Sequence, residues 1–221
     1  MAVLAEERPE PAPASAAGEE KERRFEIWCG LVLALFAAVL AVTDLGAGKY
    51  GDDELIAHNE KNGAYLWYQS KGIKETLVEG QRDTLQALIL AGSIRPEQVP
   101  AIEKVIGSLD ADATRYGKEK KEILLGSKTV GQASWAQDVD GEMGKVIGAN
   151  EWEAQAVGLG KAGDIFDYST FFLQLCLVAG AISLILQIDR MRWIFFFSMV
   201  LLGLVGTGFS VVAFLTAGAV G

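Results

Sequence analysis

Gly158-Leu159-Gly160-Lys161-Ala162-Gly163 has the glycine spacing of a dinucleotide fingerprint, in which backbone amides close on a pyrophosphate at the head of a helix. That chemistry needs a strand before the glycines and a helix after them in a parallel-sheet unit. Here the hexapeptide abuts an apolar run, so it reads as a flexible entry linker. Asp138, Asp140 and Glu142 open like a calcium loop. Met143 then stands at the turn-making sixth position and Ala149 at the twelfth, where a bidentate Glu is needed, so no EF-hand forms. His58 is the only histidine, which rules out a multi-histidine metal site within one chain; it reads as a helix-surface or seam residue. Cys29 and Cys176 lie in apolar stretches at different depths and lack zinc-pair spacing, so both read as small core residues with no disulfide between them. No catalytic, cofactor-binding or metal-ligating set emerges, and the chain reads as a non-enzyme without cofactors.

Three further polar residues, Asp44, Asp167 and Gln174, sit in or beside apolar runs. Ionisable groups inside membrane spans often mark ion paths. Both aspartates stand where interfacial water is near, and the reading preferred here is of side chains that snorkel to solvent at the ends of spans.

The elements that position these residues follow from the segregation of the sequence. Half of the 221 residues are hydrophobic and 22% are charged, yet the two classes hardly mix. Residues 27–45 form a run of about the length needed to cross the hydrocarbon layer, without an interior charge. The acid-rich leader in front fits an uncleaved anchor better than a signal peptide. The C-terminal apolar block is interrupted by Gln187-Ile188-Asp189-Arg190-Met191-Arg192, and each charge at a bilayer centre costs about 2.5 to 3.5 kcal/mol. It therefore reads as a hairpin of two spans, 166–188 and 193–217, with Trp193 and Phe195-Phe196-Phe197 at an interfacial belt. Lys21, Arg23 and Arg24 flank the first span, and Arg190 and Arg192 join the other two. Basic flanks mark the cytoplasmic side, which puts the middle domain and the C-terminus outside the cytoplasm.

Residues 1–24, with Pro9, Pro11 and Pro13, are expected to be a disordered cytoplasmic tail. The middle domain, residues 46–165, is expected to hold helices over about 52–90 and 96–125. Gly46, Gly48 and Gly51 break the chain before the first, and Pro96 stands after it. Val99, Ile102, Ile106 and Leu109 begin a seam at alternating spacings of three and four. Asn59, Asn62, Leu66, Gln69 and Ile73 form a more polar stripe on the first helix. Together they predict an antiparallel, coiled-coil-like hairpin that buries its apolar faces against itself and against further copies. Residues 127–162, with recurrent glycine, predict short helices with breaks. In the C-terminal hairpin, Gly180, Ser183, Gly203, Gly206, Thr207 and Ser210 have the small side chains and spacing that permit close helix packing.

The stretch NGAYLWYQSKGIKET at 62–76 resembles the signature of a bacterial membrane family catalogued as domain of unknown function 4337. Trp67, Tyr68, Gln69, Lys71, Ile73 and Lys74 carry the closest match. TRYGKEKKEI at 114–123 and GDIFDYSTFFLQLCLVAGAIS at 163–183 are similar to that family's later blocks. The resemblance runs from about Arg24 to Leu215 and is weakest over 127–162. It implies one span, a helical extracytoplasmic region and a terminal hairpin, and no activity.

These features describe an all-α integral membrane protein of three transmembrane helices, placed in a bacterial inner (cytoplasmic) membrane. The expected function is a non-catalytic oligomerisation or accessory scaffold, with membrane lipid and further copies or subunits as partners. The competing function is an oligomeric channel or transport component with a path lined by Gln174, Ser183 and Gln187. Nucleic acid is an improbable partner, because the net charge is −9 and the basic residues are interleaved with acids.

Overall fold

A computed structural model describes the backbone of residues 13–220 and the side chains of residues 20–220. Five α-helices lie among these residues: α1 (Pro13–Leu90), α2 (Val99–Leu125), α3 (Ser127–Val130), α4 (Ala149–Ile185) and α5 (Asp189–Gly218). One minimal antiparallel ladder, β1 (Asp138–Val139) with β2 (Glu142–Met143), departs from the all-α expectation. The described residues divide into two compact units: residues 13–49 with 161–219, and residues 50–160 with residue 220.

Helix α1 passes without interruption over Gly46, Gly48 and Gly51, where the sequence predicted a break. Each glycine costs a helix about 1 kcal/mol relative to Ala, too little to stop a helix this long. At Gly46 the rings of Phe214 and Phe166 occupy the place a Cβ would take, so the missing side chain admits an aromatic contact. α1 also takes in residues 13–24, predicted to be unordered. The run Ala16-Ala17-Gly18-Glu19-Glu20-Lys21-Glu22-Arg23-Arg24 is rich in helix formers, and Arg24 bonds Glu20 one turn back at 2.8 Å. The predicted tail over residues 1–12 lies outside the described residues.

Helix α4 brings a second correction. The glycine hexapeptide at 158–163 lies inside it, so those residues are neither a linker nor a strand-to-helix turn, and the dinucleotide reading has no structural basis. Short elements separated by positive-φ glycines do occur over 126–148, at Gly126, Gly131, Gly141 and Gly144.

In the first unit, α1, α4 and α5 supply three stretches long and apolar enough to cross a membrane. They pack around a core of Cys29, Phe36, Leu173, Cys176, Ala179 and Met199. The two cysteines are free. α5 starts at Asp189, whose carboxylate suits the positive end of the helix dipole.

The second unit pairs α1 and α2 in antiparallel fashion, as three cross-helix ion pairs fix: Lys71 with Glu119, Glu75 with Lys120, and Arg82 with Asp110. Its small apolar core joins Ala64, Ile123 and Ala149, with Tyr65, Trp67, Tyr68, Leu124 and Trp152 against them.

Candidate functional site

The face that α1 turns towards α2 has heptad spacing but is not apolar. Ala64, Tyr68, Lys71, Glu75 and Arg82 are all buried or half-buried, and they recur at intervals of three, four or seven. Lys120 Nζ donates to Glu75 Oε2 at 2.6 Å and lies 5.2 Å from the centre of the Tyr68 ring. Arg82 Nη1 donates to Asp110 Oδ1 at 2.9 Å. Glu119 is buried and is met by Lys71 and, at 3.7 Å, by Arg115. Long basic side chains suit such a seam, since their methylene stems cover apolar surface while their heads pair. The hydrogen bond to Glu75 favours the charged ammonium and pushes the pKa of Lys120 up from its usual value.

The stripe predicted for α1 lies two residues away from this face, about 200° around the helix. Asn59, Asn62, Leu66, Gln69 and Ile73 are all exposed. They are not buried against α2 within the chain as the predicted hairpin seam required, although Gln69 and Ile73 share a groove with Val105 and Leu109 of α2. Charges occupy that contact instead, and a pattern search that equates buried with apolar passes over them. On α2 the predicted residues Val99, Ile102, Ile106 and Leu109 are half-buried.

The result is a hairpin with the Lys71–Glu119 and Glu75–Lys120 pairs largely buried, the Arg82–Asp110 pair at an exposed edge, and apolar side chains on the outside. Leu66, Ile73 and Leu77 are 66%, 71% and 59% exposed. Beside them an open groove of about 1070 Å³ is lined by Gln69, Gly72, Ile73, Thr76, Leu77, Gly80, Gln81, Thr84 and Leu85 of α1 and by Val105 and Leu109 of α2. No atom lies within 4 Å of the place a Cβ would take on Gly80, so a partner helix can approach the backbone there.

A second arrangement escaped the sequence analysis. Glu122, fully buried on α2, accepts hydrogen bonds from Ser127 Oγ at 2.7 Å and from the backbone N–H groups of Ala136 and Gln137 at 2.7 and 2.9 Å. Ser127 Oγ in turn accepts from the Val146 N–H at 2.9 Å, and the Trp135 indole donates to the Ser127 carbonyl at the same distance. One side chain thereby fastens the glycine-rich segment to α2. Within that segment Asp138 accepts from the Gly141 N–H at 2.6 Å across the β1–β2 turn. Among the described residues, no group of three or more His, Cys, Asp or Glu side chains is placed to hold a metal ion. His58 lies 3.6 Å from Glu54 on the same helix.

The small residues of the first unit meet across helices. Gly180 faces Leu33 and Met199, Gly203 faces the Phe36 ring, and Gly206 faces Leu173. Ser210 and Thr43 share a hydrogen bond of 2.8 Å, and Ser169 donates to the Gly206 carbonyl at 2.8 Å. Thr207 bonds the Gly203 carbonyl of its own helix. Ser183 is buried and donates to the Arg192 carbonyl at 3.0 Å, while Gln174 and Gln187 are exposed. The three residues named for a transport path therefore do not share one lining. Asp44 accepts from Thr170 at 3.1 Å. Arg192, buried beside the Phe25 ring, pairs with Glu22 at 3.1 Å and Glu26 at 3.6 Å on α1.

The family model for domain of unknown function DUF4337 matches residues 25–216. The chain belongs to that family. Neither a curated protein nor a solved structure matches it. As a DUF4337 chain it has both the ion-paired hairpin and the three apolar helices inside the matched region.

Proposed function

We propose that this DUF4337 protein is a non-enzymatic, membrane-anchored oligomerisation or accessory module. The three apolar helices cross a bacterial inner membrane, the hairpin of α1 and α2 stands outside the cytoplasm, and its outer stripe seats a second copy. The supporting observation is the inversion of the hairpin: Lys71, Glu75, Arg82 and their partners neutralise one another within the chain, while Leu66, Ile73 and Leu77 face outward. A surface without charge calls for an uncharged partner, and the same stripe on a second copy meets that need.

Magnitudes agree with this assignment. Fully burying a Leu or Ile side chain is worth about 1.5 to 3 kcal/mol. Six of them, three from each copy and each about two-thirds exposed beforehand, contribute roughly 6 to 12 kcal/mol. Lost freedom on association costs about 4 to 15 kcal/mol. The two ranges overlap, so stable pairing requires the groove lined by Val105, Leu109 and Gly80 to be filled as well.

The basic flanks Lys21, Arg23, Arg24 and Arg190 support the stated orientation. The deciding experiment is the mass of the full chain extracted in mild detergent, alone and with Leu66→Ser, Ile73→Ser and Leu77→Ser combined. A homo-oligomer is expected from the parent chain and a smaller species from the variant, with unchanged far-UV circular dichroism because the inner ion pairs are untouched. A monomeric parent chain overturns the assignment. A stoichiometric unrelated protein in place of a second copy makes this an accessory subunit and overturns self-pairing.

A further inference from the structure

The outward faces of the apolar helices are not alike. Along α1 the exposed side chains include Ile27, Leu31, Leu35 and Val42, and along α5 Ile194, Leu201, Leu204 and Val211, as contact with lipid tails requires. α4 departs from this pattern. Its exposed face runs Asp167, Phe171, Gln174, Val178, Ala181 and Ile185 at intervals of four and three. Gln174 lies seven residues, about 10 Å, along the helix from Asp167 towards the hydrocarbon interior. No hydrogen bond from the described chain reaches its amide.

An exposed Ser or Thr can satisfy itself on the carbonyl one turn back, as Thr216 does on Val212. The Gln174 carboxamide, with two donors and an acceptor, has no such partner. In hydrocarbon an unpaired polar group is costly, and side-chain amides there bond across helices. We propose that the Gln174 face of α4 is a pairing surface inside the membrane for a second copy of this chain, the two Gln174 amides bonding each other across a two-fold axis. A carboxamide is its own complement, since each donates an N–H to the other's carbonyl oxygen. A two-fold axis along the membrane normal brings the two to equal depth without further adjustment. The four-three spacing around Gln174 is that of left-handed helix pairs, and Ala181 on the same face permits close approach deeper in the contact. This inference rests on the reading that the three helices cross the membrane; it does not depend on the outer stripe of the hairpin.

Oxidative cross-linking of the full chain in carbonate-washed membrane vesicles tests it. Val178→Cys and Ala181→Cys, both of which keep Gln174, are each compared with Leu201→Cys on the outward face of α5, and the parent chain, whose two cysteines are buried, is the blank. Disulfide-linked dimers are expected at 178 and 181 and not at 201. In the Val178→Cys background, Gln174→Leu is expected to weaken pairing roughly ten- to several-hundred-fold, the range for the two membrane hydrogen bonds of the reciprocal pair, and Gln174→Asn to retain most of it. Retention in washed membranes with cross-linking at 178 no better than at 201 overturns the pairing face while leaving the spanning reading intact. Loss of the chain from washed membranes overturns both, and a cross-link to a different protein overturns self-pairing.

Discussion

At the scale of single residues, Glu122 carries the largest structural duty in the second unit. Its carboxylate satisfies two backbone amides and one hydroxyl in a buried position. Removal of a buried acceptor costs roughly 1 to 3 kcal/mol for each donor left unpaired. Glu122→Ala is therefore expected to destabilise the second unit by about 3 kcal/mol or more and to raise hydrogen exchange at the Ala136 and Gln137 amides. Glu122→Gln, which keeps one acceptor oxygen, is expected to fall between. Unchanged exchange in Glu122→Ala would remove this account. Nothing in the neighbouring sequence announces the role: Glu122 stands in a run of charged residues, Lys118-Glu119-Lys120-Lys121-Glu122, that reads as a solvated face. Its partners lie up to fifteen positions on, beyond any local pattern.

At the scale of elements, three stretches long and apolar enough to cross a membrane were legible because hydrocarbon imposes composition over about 20 consecutive residues, and α1, α4 and α5 each carry one. The pairing face of α1 was not legible, because its periodicity is carried by charge. Lys71, Glu75 and Arg82 become recognisable as a seam only beside their opposites Glu119, Lys120 and Asp110 on α2. The hexapeptide at 158–163 shows the opposite error, in which a motif is present but its strand and turn are absent. The Lys120–Glu75 pair predicts a pH dependence. A lysine whose pKa is raised by folding contributes stability that is complete below its usual value of 10.5 and is lost as pH rises through the elevated one. Thermal melts of the full chain followed by circular dichroism are thus expected to fall above about pH 10.5. Lys120→Met is expected to lower the melting temperature below that pH and to flatten the fall; an equal slope in the variant would show that Lys120 takes no part.

At the scale of the whole molecule, the proposal that the three apolar helices cross the membrane puts the segment between α1 and α4 and the turn between α4 and α5 on opposite sides. A membrane-impermeant maleimide added to intact cells is expected to label Lys128→Cys in the exposed part of the second unit and to leave Arg190→Cys at the α4–α5 turn unlabelled until the cells are opened. Labelling of Arg190→Cys alone would invert the topology and place the second unit in the cytoplasm, and labelling of neither before lysis would overturn the crossing of α4 between them.

The clasp built on Glu122 has a consequence for where such a domain can be assembled. Small domains often close their irregular segments with disulfides, which form only where an oxidant is supplied. Here a carboxylate and a serine hydroxyl close the same kind of loop by hydrogen bonds, and both cysteines stay free and buried. Loop-closure entropy grows only slowly with length, so a non-covalent staple across fifteen positions suffices. The segment can close as soon as it leaves the ribosome or the translocation pore, indifferent to the redox poise on either side.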